Sequence, residues 1–341
     1  MINRTGKRRS GKRLARIAAW LAAVCILITG CVPGNAQNRN REAANGAEDG
    51  RLSVVTTIFP QYDFVRQIAG DRADVRMLLK PGEESHSYEP APQDIIAIQN
   101  CDIFIYVGGE NDAWVEDILE SMPEAGMRTL RLMDCVETVE EEHVQGMKEQ
   151  PGHSHDEEEE EEHSVHEIDE HVWTSPGNAA LITEQIAALL SETDPQNGSF
   201  YEENASVYLE KLEELDREFR DIADNAKRKL LIFGDRFPFR YFADAYGLDY
   251  YAAFPGCASD TEPSAATMAF LIRKVKEEGV PSVLKMELSN DNIANAVAEA
   301  SGTDVKVFYS CHNLTAEQFE AGETYLSMME KNAETLKEVL N

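Results

Sequence analysis

Apolar positions recur along this chain at spacings that alternate between those of strands and those of helices. LSVVTTIF, from Leu52, is a β-rich run, and QYDFVRQIAG after it sets Phe64, Val65 and Ile68 at helical spacing before Gly70. VRMLL (Val75–Leu79) predicts a second strand, PQDIIAIQN from Pro92 a short helix, and DIFIYVGG a buried strand. Ala113–Ser121 predicts another helix and RTLRLMD a fourth strand. Strands alternating with helices imply a parallel sheet covered on both faces, here a first lobe over residues 51–193.

From Phe200 to about Asn225 the pattern changes. Tyr201, Ala205, Tyr208, Leu212, Leu215, Phe219 and Ile222 recur in steps of four and three, one apolar stripe on a long helix. Such a stripe suits a coiled-coil dimer or a strut lying along two lobes. With α/β patterning on either side, the strut over residues 194–228 is the expectation. Strand–helix alternation then resumes over residues 229–341. KLLIFG is a strand, Pro238–Tyr246 a helix, DYYAAF a strand, Ala265–Glu278 a helix and SVLKMEL a strand. Ile293–Ala300 is a helix, DVKVFYS the last strand and Glu320–Leu340 a closing helix. The expected fold class is α/β: two lobes, each a mostly parallel sheet flanked by helices, joined by one long rigid helix. The cleft between them is the natural place for a ligand.

Charge narrows the partners. The 341 residues carry a formal net charge of −30, which argues against nucleic acid and fits a protein that attracts cations. The basic residues Arg4 to Arg16 precede an apolar run, Ile17–Gly30, that is too short for a comfortable membrane span and reads as a secretory signal over residues 1–30. Ile28-Thr29-Gly30-Cys31 resembles a bacterial lipobox; an ordinary signal or an uncleaved anchor is the alternative. The lipobox makes Cys31 the lipidated first mature residue and puts the protein at the cell membrane, lipid-anchored on its extracytoplasmic face. Residues 31–50 then form a flexible tether. Cys101 and Cys135, beside predicted strands, read as buried thiols.

Six of the eight histidines fall between His143 and His171, interleaved with the acidic run Asp156–Glu162. A tract of this composition, about residues 140–168, is expected to hold no fixed structure. Ordered sequence resumes at HVWTSP. Ligands of α/β lobes gather at the carboxyl ends of strands. Metal-binding side chains predicted there are His86, His171, Asp235, Glu287, Cys311 and His312. Imidazoles and carboxylates converging from several loops suit a borderline divalent ion such as Zn²⁺, Mn²⁺ or Fe²⁺.

These segments resemble the substrate-binding lipoproteins of bacterial zinc and manganese ABC importers, of the type with a rigid interlobe helix. VVTTIFPQYDFVRQIAGD is similar to the family's opening strand and helix, and YFADAYGL and GETYLSMMEKNAETL to later helices. SHSYEPAPQD carries the first ligand histidine, here His86, and DEHVWTSPGNA the second, here His171. The resemblance covers nearly everything after the signal. It implies a zinc-binding receptor, monomeric and not an enzyme, that delivers metal to a permease and its ATPase. Zinc-type members carry a His- and acid-rich loop ahead of the second ligand, so the tract becomes a weak zinc collector; a solvated linker is the alternative.

The sequence departs from the family at the third ligand, a histidine or, in manganese binders, a glutamate. Counting back from Tyr241-Phe242 puts Arg236 there, and arginine stays charged and binds no cation. The ligand then shifts to Asp235 or comes from elsewhere; Asp235 also suits a turn or helix cap, and Arg236 a salt bridge to a site carboxylate. The fourth position falls near Cys311, leaving Cys311 or His312. Cys257, on the same rim, could pair with Cys311 in a disulfide that removes both thiols; if reduced, a thiolate would favour zinc. Glu287 is placed behind a ligand imidazole, as are Glu83 and Glu84 unless they are plain exposed loop residues. The rival readings are manganese or iron cargo, a surface adhesin with a structural metal, and a zinc hydrolase, against which stands the absence of HEXXH.

Overall fold

A computed structural model describes residues 50–84, 88–122, 126–147, 167–258 and 262–341. The signal, Cys31, the tether, His86 and residues 148–166 of the acidic tract lie outside the described residues.

The first sheet forms from the runs with apolar side chains on both faces. β1 (Leu52–Thr56) lies between β2 (Ala73–Met77) and β3 (Ile103–Tyr106), and β4 (Arg128–Arg131) completes the parallel order β2-β1-β3-β4. Successive side chains of a strand point to opposite faces. Val54, Ile103 and Ile105 therefore join the core under α1 (Phe59–Ala69) and α4 (Pro176–Thr193). Val55, Phe104 and Tyr106 pack with Ile98 of α2 (Pro92–Asn100) and Val115 of α3 (Ala113–Ser121).

The long stripe becomes α5 (Gly198–Asp224), and Tyr201, Ala205, Tyr208, Leu212, Leu215, Phe219 and Ile222 are all buried. α5 packs against α1 and α4 of the first lobe and, in the second, α6 (Arg240–Tyr246) and α10 (Tyr325–Leu340). This is the strut arrangement. No helix among the described residues is long and apolar enough to cross a membrane. Tyr208 is buried mid-strut, and its hydroxyl has no hydrogen-bond partner among the described residues. A buried polar group without a partner costs stability. Tyr208→Phe, which keeps the ring, should therefore raise stability by about 1 kcal/mol in urea denaturation. A loss of that size would mean the hydroxyl is satisfied.

In the second lobe β5 (Leu230–Ile232) pairs in parallel with β7 (Asp249–Tyr251), and β9 (Ser282–Lys285) with β10 (Asp304–Val307). A parallel bridge from Phe233 to Leu284 links the two pairs. α7 (Ala265–Glu278) and α8 (Asn292–Ser301) cover them.

The structure corrects three expectations. The run DYYAAF is two strands: β7 ends at Tyr251, and β8 (Phe254–Pro255) pairs with β6 (Arg236–Phe237). The switch occurs because the Asp235 carbonyl accepts from both Ala253 N and Phe254 N, at 3.0 and 3.3 Å. The closing helix begins at Tyr325, as α10, and not at Glu320, which instead ends a separate short helix, α9 (Ala316–Glu320); Gly322 at φ 77° lies in the turn between them, and Thr324 caps α10 by accepting from Ser327 N. Part of the tract expected to lack structure is ordered. Glu140 bridges Ile168 in antiparallel fashion, Glu141 N donates to Glu167 O at 2.8 Å, and the Tyr250 hydroxyl donates to Glu142 at 3.2 Å.

Candidate metal centre

His171 sits where the neck of the acidic tract meets α4. Its carbonyl accepts from the amide and hydroxyl of Thr174, closing the 3₁₀ turn Val172–Thr174. Ser175 then caps α4 by accepting from Asn178 N, with Pro176 opening the helix. HVWTSP is thus a helix-start motif that fixes the imidazole just ahead of a rigid element. The ring is wholly buried, and its Nδ1 lies 2.8 Å from Asp169 Oδ1, which also accepts from the His171 amide at 2.8 Å. A carboxylate partner requires the proton on Nδ1, so in the neutral ring Nε2 carries the lone pair. Gly256 comes close enough that a Cβ there would stand 3.0 Å from His171 Cε1.

Asp169 is itself fixed by the neck. Its amide donates to Val139 O at 3.0 Å, and its carbonyl accepts from the Tyr241 hydroxyl at 2.7 Å. That hydroxyl also accepts from Val139 N at 3.2 Å. A tyrosine of the second lobe therefore pins both strands of the neck.

His312 reaches the same place from the other lobe. Cys311 adopts φ 62°, an unusual conformation for a side-chain-bearing residue, and the chain turns sharply there. The imidazoles of His171 and His312 meet edge to face with centroids 4.7 Å apart, and Trp173 stands edge-on to His312 at 4.8 Å. Trp173 also ties the lobes together. Its Nε1 donates to Ser310 O and its carbonyl accepts from the Tyr325 hydroxyl, both at 2.8 Å. Phe59 N of α1 donates to His312 O at 3.2 Å.

Behind His312 runs a relay. Its Nδ1 lies 2.9 Å from Ser310 Oγ, which donates to Glu287 Oε1 at 2.8 Å, while Glu287 Oε2 accepts from Ser310 N at 2.7 Å. Since the serine proton goes to the glutamate, Ser310 Oγ accepts from His312, and again the lone pair falls on Nε2. Burial pushes the Glu287 carboxyl up to about 7, against the pull of its bonds from Ser310.

The remaining expected ligands go elsewhere. Asp235 is buried with its carboxylate bound to backbone, accepting from Arg236 N and Met286 N at 2.9 Å each, so it ties the ends of two strand segments together and caps no helix. Cys311 is buried in the core with Tyr208 and Tyr325, where burial holds its thiol far above the usual range. Cys257 and Cys311 are free thiols, so the disulfide considered from sequence is not formed. Cys257 lies instead by the neck, its amide donating to Glu141 at 2.8 Å, and burial pushes its thiol well up too. Cys101 and Cys135 are free, the first buried and the second half-buried.

His86 is outside the described residues, but the loop leading to it is anchored on the second lobe. The Asn313 amide donates to Lys80 O and Glu83 O at 2.7 and 2.9 Å, Gly82 N donates to Leu314 O at 2.9 Å, and Arg236 Nη2 reaches both Glu84 oxygens at 3.1 Å. The salt bridge anticipated for Arg236 is therefore made, with Glu84. Among the described residues no group of three or more His, Cys, Asp or Glu converges. Sequence reasoning missed Asp169, Trp173, Ser310 and Asn313. Only Asp169 carried a usable signal, a carboxylate two residues before a histidine.

Two α/β lobes are spanned by one helix, and an imidazole from each meets the other between them. The model of the ZnuA family, zinc-uptake complex component A, periplasmic, matches residues 54–339, and the chain belongs to that family. The zinc-binding lipoprotein AdcA of Streptococcus pneumoniae R6 is 34% identical over 326 residues, 95% of this chain and 61% of AdcA, so this chain spans under two thirds of that relative. The high-affinity zinc uptake system protein ZnuA of Bacillus subtilis 168 is 33% identical over 323 residues, 94% of this chain and 96% of that one. The Zn(II)-bound ZnuA-like domain of S. pneumoniae AdcA superposes with a TM-score of 0.69 at 32% identity, covering 85% of this chain and 99% of the domain. The laminin-binding protein Lmb of Streptococcus agalactiae, described as having adhesin and metal transporting activity, gives 0.70 at 25% identity, covering 85% of this chain and all of its own (100%).

Proposed function

We propose that this protein is an extracytoplasmic zinc receptor, anchored by lipid on Cys31, that hands its metal as a monomer to the permease and ATPase of an ABC importer. The observation that carries the reading is the meeting of His171 and His312 from opposite lobes, 4.7 Å apart, each with Nδ1 held by a partner that leaves the lone pair on Nε2. His86 is the third imidazole, delivered by the loop that Asn313 and Arg236 fasten. Glu287 supports His312 through Ser310, and Asp235 and Cys311 drop out of the ligand set. Three imidazoles suit zinc better than manganese. The printed names of the AdcA and ZnuA relatives support the same cargo. The receptor binds and releases; no bond of the cargo is remade.

Competitive titration of the mature protein with Zn²⁺ and Mn²⁺, with and without residues 148–166, tests this. One tight site that prefers zinc is expected in both forms, with only weak additional zinc lost on deletion. A wild-type protein without a tight site would overturn the reading.

A further inference from the structure

Arg236 occupies the place where a ligand was sought, and its surroundings suggest what it does there. Its side chain is 8% exposed, with Nη2 3.1 Å from both oxygens of Glu84 and Nη1 3.5 Å from Ala258 O. Arg236 Nε is buried without a hydrogen-bond partner among the described residues. Arginine and glutamate come from different lobes, and together they border a cavity of about 20 Å³ that His312, Ser310 and Glu287 also line. That is room for one water-sized body. Among the described residues that line it, Arg236 is the one lysine or arginine, beside Glu83, Glu84 and Glu287.

We infer that Arg236 sets the choice of metal by withholding Glu84: the guanidinium holds a carboxylate that would otherwise turn to the cation at His312. The inference rests on the receptor reading above. Glu84 borders the same cavity as His312, and its side chain is 47% exposed, so it has freedom to reorient once released. Carboxylate donors suit Mn²⁺, whereas a site left to imidazoles suits Zn²⁺. Arginine is the side chain for this task, because it keeps its charge at any physiological pH and grips both oxygens of a carboxylate. Lysine would hold Glu84 only as a point charge. The loss of Arg236 does not strand a buried charge, since its partner is half in solvent.

The test is competitive Zn²⁺ and Mn²⁺ titration of the mature chain as wild type, R236Q, E84Q and R236Q/E84Q. R236Q is expected to raise Mn²⁺ affinity relative to Zn²⁺ roughly tenfold, and the double variant to lose that gain. E84Q alone should bind Mn²⁺ no tighter than wild type. An unchanged Zn²⁺/Mn²⁺ ratio in R236Q, including equal weakening of both metals, overturns the inference and leaves Arg236 a packing residue. So does a gain that survives in the double variant. Should R236Q fail to fold, R236K is expected to shift the ratio in the same direction by a smaller factor, and no shift overturns the proposal. If R236Q shifts the ratio while wild type holds zinc, both readings stand; wild type binding neither metal overturns the receptor reading and this one with it.

Discussion

Replacing His171 by alanine is expected to weaken zinc binding by roughly a hundredfold or more. A structural zinc site with four ligands is worth about 10–16 kcal/mol, so one ligand carries roughly 3 kcal/mol, and every 1.4 kcal/mol is about tenfold. Truncation also leaves a hole, because the ring is wholly buried and seated against Gly256. Stability in chelator therefore has to be measured beside affinity. In wild type, saturating zinc should raise the unfolding midpoint, since ligand that binds only the folded state stabilises it by mass action. In His171→Ala that rise should nearly vanish even where the metal-free protein stays folded. Cys311→Ala should do the reverse, lowering metal-free stability while keeping the zinc-induced rise, because the thiol lies in the core with Tyr208 and Tyr325. If His171→Ala keeps the full rise, the centre lies elsewhere.

The contrast between those two residues shows how far the sequence could be read. His171 is legible because HVWTSP resumes ordered sequence after the acidic tract, just ahead of a helix, and because DEHVWTSPGNA resembles the family's second ligand motif. Cys311 and His312 could not be separated from sequence, since the answer depends on the backbone turning through φ 62° at Cys311. The helices α2, α3 and α7 fall where their periodicity puts them. β6 and β8, two residues each, are too short to show any period and form only because Asp235 O draws Ala253 and Phe254 across. The Arg236–Glu84 pair joins residues 152 positions apart. Chemistry announced that Arg236 needed a carboxylate, but only the fold could name which.

Asp169 is the residue on which the second large effect should fall. Its Oδ1 takes both the amide and Nδ1 of His171, and the residue is buried, so water is a poor substitute. Metal-bound imidazoles lean on such partners for tautomer and aim, and losing the partner typically costs about 10–100-fold in affinity. Asp169→Ala should fall near the upper end, because both bonds go and the ring is released to rotate. Asp169→Asn should fall near the lower end: an amide oxygen can still accept both bonds, but the negative charge that offsets the cation is gone. The neck would remain pinned in either variant, as Tyr241 holds the backbone of residues 139 and 169 and not the carboxylate. The measurement is zinc affinity by competition with a chelator, beside the zinc-free unfolding midpoint. An alanine variant as weak as asparagine would mean the charge matters and the aim does not. Two variants as tight as wild type would mean His171 is oriented by its packing against Trp173 and Gly256 alone.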